Sequence, residues 1–330
     1  MRQMISGAGD APSLLDKRLL IFCGKGGTGK STVAAAAALA AARRGKRVLI
    51  VEIGDHEQIP SIFGSRKSAG YAGAQVAAPG AGAPLIWSMC LTAGEALQEF
   101  ALRSVKFKAI YEAVLENSVV RFFTAAAPGL DELTIMGKIE TVHREAVAPA
   151  KNSRFDLMIF DAPATGQGLA FFKVPLMAMK MARMGPLYAK AERMWQLVSD
   201  ADHTAFNIVT LPEEMPVSEA IELHAASAAM GLPQGKVIVN GVYPDFFRGD
   251  EAALALSRKQ DGEPADLTGR IARAALQAAR SSVARRRAQE ESIAKLAASL
   301  PLDRIVLPFL FSPRVRSQEI ATLADSLEGF

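Results

Sequence analysis

Cysteine is nearly absent from this 330-residue sequence: only Cys23 and Cys90 occur. No C-x-x-C pair is present, which excludes a zinc knuckle, a redox dithiol and an iron–sulfur ligand set. Such usage fits a reducing cytosol, and Cys23, closing an apolar run, reads as a small core residue. The excess of one sign of charge is also small. The net charge is +4 and the isoelectric point is near 9.1, too small an excess to imply a nucleic-acid partner. The local cluster ARRRA (284–288) lies in a polar helical stretch and reads as a solvated face. No apolar run is long enough and free enough of charge to span a bilayer. The opening MRQMISGAGDAPS lacks the apolar centre of a signal peptide and reads as part of a mobile arm over 1–16. The expectation is a soluble, cytoplasmic protein, free or at the membrane periphery.

What is present is concentrated in FCGKGGTGKST (22–32). Gly24, Lys25, Gly26, Gly27, Thr28, Gly29, Lys30 and Ser31 satisfy G-x-x-x-x-G-K-[ST], the phosphate-binding loop, and Thr32 follows. Its flanks supply the confirming context. RLLIFC (18–23) has strand character and STVAAAAALAAARR (31–44) is helix-forming, ending at Gly45. Glycines let backbone N–H groups crowd a phosphate, and the helix N-terminus adds a favourable dipole. Lys30 would reach the β- and γ-phosphates, and Ser31 would ligate Mg²⁺. The bland alternative is a glycine turn that binds nothing.

Half of the residues are hydrophobic and 22% are charged, ordinary globular usage. Strand-like runs occur at 46–53, 85–91, 155–161, 205–211, 236–244 and 304–311. Helical stretches occur at 92–150 (broken at Pro128-Gly129), 168–201, from near Pro216, at 265–299 and at 317–327. The Gly/Ala/Pro-rich stretch 65–84 is expected to hold little regular structure. The alternation predicts an α/β fold: one P-loop NTPase domain over 1–330 with a doubly wound, mostly parallel sheet. Segments 92–150 and 168–201 form a helical insertion, read as a helical subdomain. FDLMIFD ends in Asp161, whose carboxylate at a buried strand end needs a partner. It would hold Mg²⁺ opposite Ser31; a plain helix N-cap is the alternative. APATGQG (162–168) is expected to leave the strand as a loop near the γ-phosphate.

Lys25 gives the loop the form K-G-G-x-G-K-[ST]. That form resembles the nucleotide-switch superfamily of MinD/ParA proteins, the nitrogenase iron protein and ArsA-type ATPases. FDLMIFDAPATGQGLAFFKVP, PGLDEL (128–133), LPEEMPVSEA (211–220) and VIVNGV are similar to segments of the ArsA branch, which includes ATPases that target tail-anchored membrane proteins. The similarity covers about 18–245. It implies ATP and Mg²⁺ as cofactors. It also implies a homodimer, or a heterodimer with a paralogue, in which Lys25 reaches the partner's nucleotide and stabilises the transition state with Lys30. A lysine that only faces solvent is the alternative. The branch's water-orienting switch aspartate has no aligned equivalent in EIGDHEQIP (52–60); Asp55, one place later, is the catalytic candidate, with Glu52 or Glu57 as substitutes, and Gln167 stands where a histidine is usual. Asn240 is a candidate for the adenine edge and Pro212 and Glu213 for flanking the ring; a turn role for Asn240 is the alternative.

No soft-metalloid cysteines and no zinc-bridging pair are present, so an arsenite-pump role and a zinc-linked dimer are not expected. The methionines of 173–198, Met177, Met181 and Met184 among them, suggest a groove for a hydrophobic or membrane-protein client, or else packing on the sheet. Three functions fit: a client-handling nucleotide switch, the energy-coupling subunit of an anion transporter, and a MinD/ParA-like positioning ATPase.

Overall fold

The strand-forming runs assemble into one sheet: β1 (Leu19–Gly24), β2 (Val48–Ile53), β3 (Ala74–Ala77), β4 (Ile86–Leu91), β5 (Leu157–Ala164), β6 (Thr204–Thr210), β7 (Gln234–Val242) and β8 (Arg304–Pro308). The structure, a computed structural model, describes residues 13–77, 85–104, 129–147, 149, 153–246 and 267–328. The sheet order is β3-β4-β2-β5-β1-β6-β7-β8. Every pairing is parallel except β3 with β4. β1 is buried at all six positions, as a central strand covered on both faces must be. Its side chains alternate: Leu20 and Phe22 enter one core, and Leu19, Ile21 and Cys23 the other.

The helices divide between these two faces. On the first lie α1 (Lys30–Arg43) and, further along the chain, the helix Ser317–Leu327. α1 is buried continuously from Val33 to Ala42, because alanines let it sit closely between the sheet and that last helix. A short helix, α2 (Ile59–Ile62), joins this layer. The second face carries α3 (Ala93–Ser104), α4 (Leu130–Ala146), α5 (Thr165–Ala182), α6 (Pro186–Ser199), α7 (Glu214–Ala229) and part of α8 (Leu267–Ser299); α9 is Ser317–Leu327. Phe172 of α5 is fully buried and meets Phe160 and Phe206 edge-on, at 6.4 and 5.6 Å between centroids. Across α4 and α6, the buried Glu140 carboxylate takes Lys190, Arg144 and Arg193. Burial opposes ionisation of Glu140, yet Lys190 and then Arg144 hold its carboxyl below the usual range.

Three sequence expectations change. Residues 13–16 are not an arm. Ser13 caps a 3-10 turn and Leu14 and Leu15 are buried against α1's layer, while 1–12 lie outside the described residues. Within 65–84 the short strand β3 pairs at the sheet edge, where four residues suffice because only one neighbour must be satisfied; 78–84 are outside the described residues. The expected 162–168 loop is absent: β5 runs to Ala164 and α5 starts at Thr165. Pro163 is tolerated because the β2 ladder has already ended at Phe160, so its missing N–H breaks no bond there. The helical stretches at 92–150 and 168–201 are present as α3 to α6, with 105–128 outside the described residues.

Candidate functional site

Parallel pairing brings the carboxyl ends of β1, β5, β6 and β7 to one edge of the sheet, where ligands of open α/β sheets bind. β1 ends in Gly24. A Cβ there would lie 2.1 Å from the Val209 carbonyl oxygen, so only glycine lets β1 turn out beside β6. The turn closes at Gly29, whose φ of +86° and 2.3 Å approach of the Asn240 amide to a would-be Cβ likewise demand glycine. Gly29 is also the N-cap of α1 and supplies no side-chain cap. The first-turn N–H groups of α1 are therefore left to an external acceptor, the arrangement that binds phosphate.

Three charged or polar side chains converge on this loop. Lys30 donates to the Lys25 carbonyl at 3.2 Å, folded back on the loop a phosphate would fill. The Ser31 hydroxyl donates to Asp161 Oδ2 at 2.5 Å. Burial pushes the Asp161 carboxyl up to about 6, against the Ser31 hydrogen bond and the Lys30 charge. Its Oδ1 is buried without a hydrogen-bond partner. A carboxylate oxygen in that position fits a cation between Asp161 and Ser31. Mg²⁺ suits it, since this ion takes one or two protein oxygens and completes its shell with water and phosphate. No cage of three or more ligating side chains occurs among the described residues. The N-cap alternative for Asp161 does not hold: α5 is preceded by Ala164 and lacks a side-chain cap.

Thr32 and Gly27 open onto a cavity of about 910 Å³, lined further by Pro212, Glu213, Asn240 and Tyr243. All three base-site candidates, Asn240, Pro212 and Glu213, are thus brought together beside the loop. Asn240 is not a turn residue. It sits within β7 and its amide donates to the Thr28 carbonyl at 2.9 Å, tying that strand to the loop. The far wall went unread in the sequence. Tyr243 stacks on Phe309 at 4.4 Å, and the Arg285 guanidinium lies 4.7 Å over the Tyr243 ring. Gln289 and Arg286 of α8 hold the Gly241 and Tyr243 backbone through bonds of 2.7 to 3.1 Å. An aromatic residue near the end of the last two strands was the available signal.

The three candidate switch carboxylates differ in burial and partners. Asp55 is exposed on the turn after β2. Glu52 is buried and accepts from Gln58, Ile59 and Ser88, capping α2, and burial pushes it up to about 7. Glu57 accepts from Ser68, Ala69 and Gly70 in the connector. Both substitutes for Asp55 thus already accept hydrogen bonds that hold the local fold. Lys25 meets Glu219 Oε1 at 2.5 Å. Met177, Met181 and Met184 are 57%, 83% and 81% exposed, so they do not pack on the sheet, whereas Met194 does. No described helix is long and apolar enough to cross a membrane.

Comparison with known proteins agrees with this geometry. The sequence matches the ArsA family, described as anion-transporting ATPase, over residues 17–185 and 177–261. It is 33% identical to the ATPase BagA of Mycobacterium tuberculosis over 247 residues, 74% of this chain and 71% of that protein. It is 25% identical over 271 residues to the arsenical pump-driving ATPase of Escherichia coli, of which it spans 44%. With ATPase GET3C of Arabidopsis thaliana the identity is 23% over 279 residues, 70% of this chain and 68% of the relative. A P-loop with an added lysine, a carboxylate placed for a cation, and a family match over most of the chain agree: the protein belongs to the ArsA family of ATPases.

Proposed function

We propose that the protein is a Mg²⁺-dependent ATP-hydrolysing switch that works as a dimer and couples its nucleotide cycle to capture and release of a hydrophobic client. The observation that carries the switch is the continuity of β5 into α5. Asp161, which this reading assigns to Mg²⁺, and the exposed methionines Met177 and Met181 lie on one strand–helix segment, with Pro175 inside its helix. In this reading Gly24 to Thr32 hold the phosphates, with Lys30 on the β- and γ-phosphates and Ser31 and Asp161 on Mg²⁺. Asn240, Pro212 and Glu213 border the base. The metal supplies charge neutralisation at the γ-phosphate; Lys25 of one protomer adds positive charge at the partner's phosphate as the bond breaks. Asp55, exposed and close after β2, orients the water. Helices α3 to α6 form the client-facing layer, and the cytoplasm, with contact at the membrane surface, is the expected place of work.

Exposed methionines support the client. Flexible, polarizable side chains suit an apolar partner of variable sequence, and an apolar patch left on a surface usually marks an interaction site. The description of the family as anion-transporting supports a second reading, energy coupling to a membrane transporter. The two separate by capture: a hydrolysis-blocked form should bind an isolated transmembrane peptide if the first holds, and co-purify with an integral transporter if the second does. Loss of ATP binding in Lys30→Ala tests the nucleotide site on which both depend.

A further inference from the structure

Lys25 is fixed at its root and tethered at its tip. Its main chain follows Gly24, which is wedged against β6, and its carbonyl accepts from Lys30 and from the Thr28 hydroxyl at 2.9 Å. Only the side chain is left to swing. Its ammonium pairs with Glu219 of α7 in the same protomer, at 2.5 Å, with the two side chains 35% and 31% exposed. An ammonium held in this way cannot at the same time neutralise a phosphate on another molecule. The first turn of α7 is reached from the other side by the nucleotide cavity, through Glu213 and Glu214. One rigid helix therefore touches both the base side of the cavity and the lysine.

We infer that Glu219 is a positioning residue that latches Lys25 on its own protomer and releases it when a second copy of the chain brings its bound nucleotide to the interface. The inference rests on the reading of Lys25 as a residue acting in trans. The latch makes hydrolysis depend on assembly. In the isolated protomer the lysine is neutralised by Glu219, while in the dimer the more highly charged phosphates outcompete a single carboxylate. A half-exposed ion pair of this kind shifts an equilibrium by up to about fivefold, and a symmetric dimer must open two.

The test is ATP hydrolysis by the full chain as a function of protein concentration. Glu219→Gln should lower the concentration for half-maximal activity, by up to about fivefold for each of the two ion pairs opened, leaving saturated turnover and the KM for ATP unchanged. A merely structural role would lower Tm or raise KM without moving that midpoint. If Glu219→Gln folds poorly, Glu219→Asp, which shortens the reach by one methylene, should move the midpoint the same way by less. Adding Glu219→Gln to Lys25→Ala should change nothing further. An unmoved midpoint, a fall in saturated turnover, or hydrolysis independent of concentration would overturn the latch. Wild-type turnover in Lys25→Ala would instead remove the trans-lysine reading itself, whereas an inactive Lys25→Ala with an unmoved midpoint removes the latch alone.

Discussion

Ser31, in the first turn of α1, donates its hydroxyl to Asp161 of β5, 130 residues later in the chain. The pair leaves the second carboxylate oxygen buried and unsatisfied. A buried carboxylate with incomplete compensation is costly, and burial raises the pKa of this one to about 6 despite the nearby Lys30 charge. The relationship makes sense of an otherwise unfavourable group if, as proposed, a cation that arrives with nucleotide completes the site.

Asp161→Asn should therefore stabilise the nucleotide-free protein while weakening the Mg²⁺ dependence of ATP binding. The melting temperature without ligand should rise or hold, and the gain in Tm on adding Mg²⁺ to an ATP-containing sample should shrink. Thermal scans with and without Mg²⁺ check both halves. A lowered ligand-free Tm together with an unchanged Mg²⁺ effect would assign Asp161 a structural role.

Gly24→Ala should destabilise the fold by about 2 kcal/mol or more, because the new Cβ would press on the Val209 carbonyl and β1 and β6 must separate. Gly27 has a positive φ as well but open space around the would-be Cβ, so Gly27→Ala should cost less. Urea unfolding of the two variants, read as the shift in midpoint at constant slope, gives the comparison.

Glu52 sets a pH dependence. Burial raises its pKa from 4.5 to about 7, so in the pH range between these values the folded state binds more protons than the unfolded one. The stabilising contribution is full below pH about 4.5 and is lost as pH rises through about 7. Replacing Glu52 with Gln should flatten the fall in stability over this window, with Ser88 and the N-terminus of α2 still bonded. Parallel slopes for wild type and variant would contradict the assignment.

Met177→Ser, Met181→Ser and Met184→Ser combined should leave Tm within a few degrees of wild type, since exposed side chains each contribute roughly 0.5 kcal/mol or less. The same triple variant should bind a transmembrane peptide more weakly and keep its basal ATPase. Severe unfolding would show that these side chains are covered by other parts of the protein.

Much of this was legible because the chemistry is local. The phosphate loop, its flanking strand and helix and the aspartate closing FDLMIF each announce themselves within a few residues, and the last helix was expected over 317–327, where it lies. β3 was missed because AQVA carries no strong alternation and gains its ladder from β4. The start of α5 was missed because Ala-Pro-Ala reads as a break, although past the end of the β2 ladder it completes a strand. The wall of Tyr243, Arg285 and Phe309 comes from three separated segments, and no spacing rule joins them. Likewise nothing in the sequence pairs Lys25 with Glu219, which are 194 residues apart and meet only because α7 packs over β1.

The measurement that bears most directly on the account is ATP hydrolysis by a mixture of two inactive variants, Lys25→Ala and Lys30→Ala. On the proposed reading, the first keeps the lysine that binds phosphate but has no charge to lend, and the second fails to hold ATP but keeps Lys25. If Lys25 serves the partner's nucleotide, mixed dimers contain one complete site, and the mixture should hydrolyse ATP faster than the sum of the two variants alone. A mixture no faster than that sum, at concentrations where the wild type is active, would contradict a lysine that works across two protomers.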